Sequence, residues 1–131
     1  SDESTVTLVS SQRSSVMSNL RNMANAVKAC FELAGAEVIQ NDGYPAWKMN
    51  ADSELQRIAI QEYKKLFGHD PKVLGIHAGL ECGLFSEKYP GIDMISFGPT
   101  LRFVHTPDER LLIPTVQVVW DHMLAILREI D

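Results

Sequence analysis

Three stretches of this chain carry apolar residues at helical spacing, and short apolar runs closed by turn residues stand between them. That alternation limits the fold more than any other feature. From about Ser15 to Leu33, Val16, Leu20, Met23, Val27, Cys30 and Phe31 share one stripe, with Asn19, Arg21, Asn22 and Lys28 off it. Gly35 is placed to cap that helix. A second helix is predicted over Glu54 to Phe67, capped by Asp52 or Ser53, with Leu55, Ile58, Ala59, Tyr63 and Leu66 inward and Gly68 as its stop. Pro114 suits the first turn of a last helix reaching about Glu129. Its core side is expected to hold Val116, Val119, Trp120, Met123, Leu124 and Leu127, and a shorter helix fits Leu80 to Tyr89. Val6 to Val9, Ala36 to Gln40, Lys72 to Ile76 and Ile92 to Phe97 read as short strands. Strands alternating with helices predict βαβ units and an α/β fold. The turn chemistry of Asn41-Asp42-Gly43-Tyr44-Pro45 opens the expected boundary, near Asn41 to Asn50, between a strand-helix-strand unit and a second α/β unit.

Bulk properties narrow the function classes. A net charge of -5 with scattered Lys and Arg argues against a nucleic-acid surface, which needs clustered cations. No apolar stretch is long enough to span a membrane. The acidic, polar start is no signal peptide, and the missing initiator Met fits a truncated or processed start. Cys30 and Cys82 lack any CxxC spacing and make no disulfide framework, so a reducing cytoplasm is the expected compartment.

Two segments carry the chemistry. One is Gly98-Pro99-Thr100-Leu101-Arg102-Phe103-Val104-His105-Thr106-Pro107-Asp108-Glu109-Arg110. A neutral imidazole at His105 can bind zinc, Pro107 stiffens the loop, and Asp108 or Glu109 can orient the ring or cap nearby amides. The bland alternative is a loop histidine. The other segment is Ile76-His77-Ala78-Gly79-Leu80-Glu81-Cys82-Gly83-Leu84-Phe85. Its glycines permit close backbone approach. Glu81 is a ligand, an electrostatic partner or simply a charge at a helix start. A Cys82–His77 nucleophilic pair is conceivable, though a buried inert cysteine is commoner. Arg13, in the polar turn before the first helix, is suited to a substrate carboxylate, against the reading of a solvated surface charge. Cys30 and Trp120 are expected in the core, Trp47 at the junction of the two units, and His69 and His122 in structural roles.

Taken in order, the 76–85 motif, Asp93-Met94-Ile95-Ser96-Phe97-Gly98-Pro99 and His105-Thr106-Pro107-Asp108-Glu109 resemble the C-terminal end of the aminoacyl-histidine dipeptidase family, also called Xaa-His dipeptidase or peptidase D. Ser11-Gln12-Arg13-Ser14-Ser15 and Tyr44-Pro45-Ala46-Trp47 fit the same pattern, so the likeness covers nearly the whole chain. The resemblance implies a zinc-dependent, cocatalytic dipeptidase with two ions in the intact enzyme and a lid domain inserted in a catalytic α/β domain. It implies that residues 1–43 are a strand-helix-strand remnant of the lid and that residues 44–131 are the C-terminal α/β portion of the catalytic domain. His105 matches the last metal ligand, and Arg13 and Gly79 match substrate-holding positions, with Arg13 on the dipeptide carboxylate. Thr106 stands where Ser is common. Phe103 and Val104 replace smaller residues, which changes the pocket's shape.

The family's other ligands and its general-base glutamate have no match here. The 131 residues by themselves are therefore expected to be inactive and to hold zinc weakly at most. Uncovered strand edges and apolar faces predict a homo-oligomer, with strand exchange as one route. Two other readings remain open at this stage. One is a non-catalytic small α/β ligand-binding module; the other is a cysteine hydrolase using Cys82 and His77.

Overall fold

The computed structural model describes residues 5–41, 43–76 and 81–130. The chain divides into two compact units, residues 1–49 with 75–90, and residues 50–74 with 91–131. It is a mixed α/β chain with helices α1 (Met17–Leu33), α2 (Glu54–Phe67), α3 (Glu81–Lys88) and α4 (Pro114–Glu129), and strands β1 (Leu101–Arg102) and β2 (Arg110–Leu111).

The first unit holds α1 and α3. Residue 35 is left-handed at the end of α1, as only glycine adopts readily, and Ala36 N–H bonds back to Phe31 O at 3.0 Å. No residue of α1 is buried. Its better-covered stripe runs through Val16, Leu20, Ala24, Val27 and Phe31, while Met23 and Cys30 fall beside it and stand exposed. Cys30 is therefore not a core residue: it lies on the rim of the stripe. Gly83 of α3 is buried against Pro45, and an added Cβ would overlap the Pro45 carbonyl oxygen. Within the same unit the Ala46 N–H points at Met17 Sδ, 3.1 Å away.

The second unit is organised by α2 on α4. Ser53 caps α2 as predicted, its Oγ accepting from Gln56 N–H at 2.9 Å, and left-handed Gly68 ends the helix. The covered faces meet at Ala59, Ala125 and Ile126, which are buried. His122 is buried with them. It donates from Nε2 to Ala59 O at 2.8 Å, so Nε2 carries a proton, and it packs on the rings of Tyr63 and Phe97. The structural role expected of His122 is this one. Leu66, expected inward, is exposed.

The packed face of α4 differs from the one expected. His122, Ala125 and Ile126 are inside, whereas Val116, Trp120 and Leu127 are exposed, so Trp120 is not a core residue. At about 100° per residue these two sets lie on opposite sides of the helix. Both sides are apolar, so periodicity alone does not choose between them, and contact with α2 does.

Val6 to Val9, Ala36 to Gln40, Lys72 to Ile76 and Ile92 to Phe97 form no strand ladder among the described residues. A strand is completed by a neighbour's N–H and C=O groups, and these segments meet none there. Their larger apolar side chains, Val6, Leu8, Val9, Ile39 and Leu74, stand in the open.

Candidate active site

His105 sits at the tip of a hairpin. β1 and β2 pair antiparallel, Leu101 opposite Leu111 and Arg102 opposite Arg110, and Leu112 N–H bonds Thr100 O at 2.9 Å one step further down. The base is tied to the start of α4. Thr115 Oγ1 accepts from Thr100 N–H at 2.9 Å and donates to Leu112 O at 2.7 Å.

The loop between the strands is held by its own short-range bonds. Thr106 donates from N–H (3.2 Å) and from Oγ1 (2.7 Å) to Phe103 O. Asp108 N–H returns to Thr106 Oγ1 at 3.2 Å, and Glu109 N–H to Thr106 O at 3.1 Å. Glu109 Oε2 accepts the His105 N–H at 2.9 Å. Of the two roles open to Asp108 and Glu109, the structure gives Glu109 the amide-capping one. This bonding carries the chain through left-handed backbone at Phe103 (φ 55°) and His105 (φ 65°). Histidine tolerates that region better than a bulky residue such as Phe103, and strain of this kind gathers where geometry serves function. The result is an exposed imidazole on a stiff tip, two residues before Pro107.

Arg13 is exposed in the turn before α1, in the first unit, while His105 belongs to the second. Gly79 and His77 lie outside the described residues. Glu81 opens α3, where a carboxylate favours the helix dipole. Burial pushes the half-buried Cys82 thiol up, and the Glu81 charge adds to that rise. A reactive thiolate needs the opposite shift, so nothing here favours Cys82 as a nucleophile.

Zinc requires three or four protein donors around one point. Among the described residues no three His, Cys, Asp or Glu side chains form such a group, and His105 offers a single donor. The described residues therefore do not fit a complete metal centre.

Asp93 has a task that its place in the sequence does not announce. Its Oδ2 accepts the Leu55 N–H at 2.9 Å and so caps α2 from 38 residues away, beside the local Ser53 cap. The Leu55 amide is the main reason its carboxyl sits below the usual range, with the Ser53 hydroxyl next, and burial acts against both. The available signal was an Asp ahead of the apolar run Met94-Ile95, but nothing local named Leu55 as its partner.

A sequence model of peptidase family M20/M25/M40 matches residues 4–129. The chain is 41% identical over 99 residues to the cytosol non-specific dipeptidase of Escherichia coli (strain K12), a match covering 76% of this chain and 20% of that protein. It also superposes on the crystal structure of aminoacylhistidine dipeptidase from Vibrio alginolyticus with a TM-score of 0.74 and 47% identity, covering 90% of this chain and 24% of the other. The chain thus spans about a fifth to a quarter of the length of these relatives.

Proposed function

This chain belongs to peptidase family M20/M25/M40, and from that membership we propose that it forms part of a zinc-dependent dipeptidase acting on Xaa-His dipeptides. The observation that carries the reading is His105 itself, an exposed imidazole on a left-handed, internally bonded hairpin tip. Such a tip fixes the backbone from which the ring projects, which suits a metal ligand. In this reading His105 contributes one zinc ligand of a two-ion site. Arg13 holds the C-terminal carboxylate of the dipeptide by paired N–H bonds, and Gly79 lets backbone approach the substrate. Residues 1–43 supply the end of a lid domain and residues 44–131 the end of the catalytic domain. In the whole enzyme, zinc held in part by His105 would supply Lewis-acid chemistry toward water and the peptide carbonyl. Among the described residues no three donor side chains gather at one point, and in this reading the 131 residues alone bind zinc weakly and do not hydrolyse. The relative's name, a cytosol dipeptidase, supports a cytoplasmic setting.

The test is a chimera in which this chain replaces the matching segment of the Vibrio alginolyticus enzyme. It is expected to hydrolyse an Xaa-His dipeptide such as carnosine in the presence of zinc. His105→Ala within it should lose both bound zinc and turnover, and Arg13→Ala should raise KM at least tenfold, as loss of a bidentate charged contact implies. An active His105→Ala chimera refutes the ligand assignment. Equal turnover of dipeptides without histidine refutes the Xaa-His preference. Zinc-dependent turnover by the 131 residues alone refutes their incompleteness.

A further inference from the structure

The peptide that joins Val104 to His105 lies in the middle of a four-residue turn, Phe103 to Thr106, closed by Thr106 N–H on Phe103 O at 3.2 Å. Such a turn has two common forms. Its third residue stands at about φ −90° in type I and about φ +80° in type II. Between them, ψ of the second residue changes by about 150° and φ of the third by about 170°, so the middle peptide turns over and its N–H faces the other side. The third residue here is His105. Its φ of 65°, after a Val104 that has no positive φ, is the type II sign pattern, which glycine or asparagine usually fills. The bonds from Thr106 to Phe103 O close the turn in either form. The bond to Glu109 does not: Oε2 accepts the His105 N–H at 2.9 Å, and turning the peptide over carries that N–H away. Glu109 is itself anchored, its own N–H on Thr106 O at 3.1 Å. A carboxylate acceptor makes the bond charge-assisted and so stronger than a neutral one.

We propose that Glu109 is a positioning residue for His105. By accepting the His105 N–H it selects the left-handed form of the turn, and so sets the direction in which the imidazole leaves the backbone. The proposal rests on the reading of His105 as a zinc ligand and adds the residue that aims it. Magnitude decides whether the choice of form matters. In the flip the flanking Cα atoms keep their places while the peptide turns about the line joining them. Standard peptide dimensions set the N–Cα bond about 15° from that line, so turning over swings it by about 30°. The Cα–Cβ bond follows, and a ring nitrogen several bonds out moves on the order of 2 Å. A ligand must be held within about 0.5 Å and 10–20° of its working geometry, so only one of the two forms presents the same nitrogen to an ion. The interaction is local: every bond in it joins residues of the loop, and none depends on what covers the rest of the chain.

The test uses the chimera with the Vibrio alginolyticus enzyme. Crystal structures of its zinc-free form read φ at residue 105 directly, and competition with a chromophoric chelator reads zinc affinity. Glu109→Ala should return residue 105 to negative φ and weaken zinc binding at least about tenfold, the usual scale for a residue that orients a ligand. Glu109→Gln keeps a carbonyl oxygen at the same reach and should stay within about threefold of the unsubstituted chimera, whereas Glu109→Asp, one methylene short, should behave as Glu109→Ala. The hairpin below should stay closed in all three, with Leu112 N–H on Thr100 O. A Glu109→Ala chimera that keeps positive φ at residue 105, or keeps its zinc affinity, overturns the proposal. A Glu109→Gln chimera no better than Glu109→Ala overturns it too, by assigning the effect to charge. An opened hairpin in Glu109→Ala does the same, by making Glu109 a general support of the fold. His105→Ala separates this proposal from the reading beneath it. Undiminished zinc affinity in His105→Ala sinks the ligand reading, while a loss there beside none in Glu109→Ala sinks the Glu109 assignment alone.

Discussion

Removing the Asp93 carboxylate should uncap α2 and leave a signature in pH. Asp93 Oδ2 accepts the Leu55 N–H at 2.9 Å, and its Oδ1 is buried with no partner of hydrogen-bond geometry among the described residues. Asp93→Ala therefore deletes one charge-assisted bond and leaves an amide at the helix start without its acceptor. A hydrogen bond to a charged group contributes about 1.5–3 kcal/mol, and a lost N-cap costs about 1 kcal/mol in comparable helices. Ser53 still serves Gln56 N–H, so the expected loss is about 2 kcal/mol, or about 2 M in urea midpoint at an m-value near 1 kcal/mol/M. Asp93→Asn keeps an acceptor but not the charge and should lose about half as much. The pH dependence has a definite sign. The folded-state carboxyl is held below the unfolded value of about 4. Its contribution is thus complete above that unfolded value and fades as pH falls through the folded one. Urea titrations followed by circular dichroism at pH 7, 5, 4 and 3, with exchange of the Leu55 amide, read both effects. Equal stability of Asp93→Ala and wild type at pH 7 would refute the cap. So would a wild-type acid loss that survives undiminished in the variant.

Two further substitutions probe the parts around the candidate site. Gly83→Ala places a Cβ on the Pro45 carbonyl oxygen, so the first unit should lose about 1–3 kcal/mol; unchanged thermal stability would mean that Pro45 yields freely. Phe103→Gly relieves a bulky residue at φ 55° and should stabilise the hairpin by about 0.5–1 kcal/mol, net of glycine's greater unfolded-state entropy. Slower exchange of the Leu112 amide, which bonds Thr100, is the expected readout, and faster exchange would show that the Phe103 side chain contributes more than its backbone costs.

What could be read in the sequence was local, and what could not was set at a distance. Ser53, Gly68, Gly35 and Pro114 act within a turn of their own helices, and the predicted ends of α1, α2 and α4 follow from them. Four apolar runs have strand composition but no ladder among the described residues, because a ladder belongs to two segments and composition describes only one. The α4 face was misread for a related reason. Trp120 and Leu127 outweigh Ala125 in hydrophobicity, yet contact goes to the side where the small Ala59 and Ala125 let α2 and α4 approach closely. Asp93 escaped assignment because its partner lies 38 residues away. At the site, His105, Thr106, Pro107 and Glu109 announced a stiff loop in sequence, and that loop is present. The left-handed Phe103 was not legible, since no rule of local preference puts a bulky aromatic there.

The same distinction between local and distant control separates how His105 is presented from what it can do. Its presentation rests on bonds spanning two to four residues, from Thr106 to Phe103, Asp108 to Thr106 and Glu109 to His105. One further link, Thr100 to Thr115, ties the hairpin to α4. None of these bonds needs a large core, so the tip can hold its shape in a unit whose buried apolar residues are only Ala59, Ala125 and Ile126 among those described. Metal binding has the opposite dependence. Each added donor must come from another part of the polypeptide, and a single imidazole, however well aimed, lacks the chelate effect of a shared site. A stiff histidine-bearing tip without a gathered set of donors among the described residues therefore follows from one cause: loop stiffness is encoded within the loop, whereas the number of donors that meet depends on the wider fold.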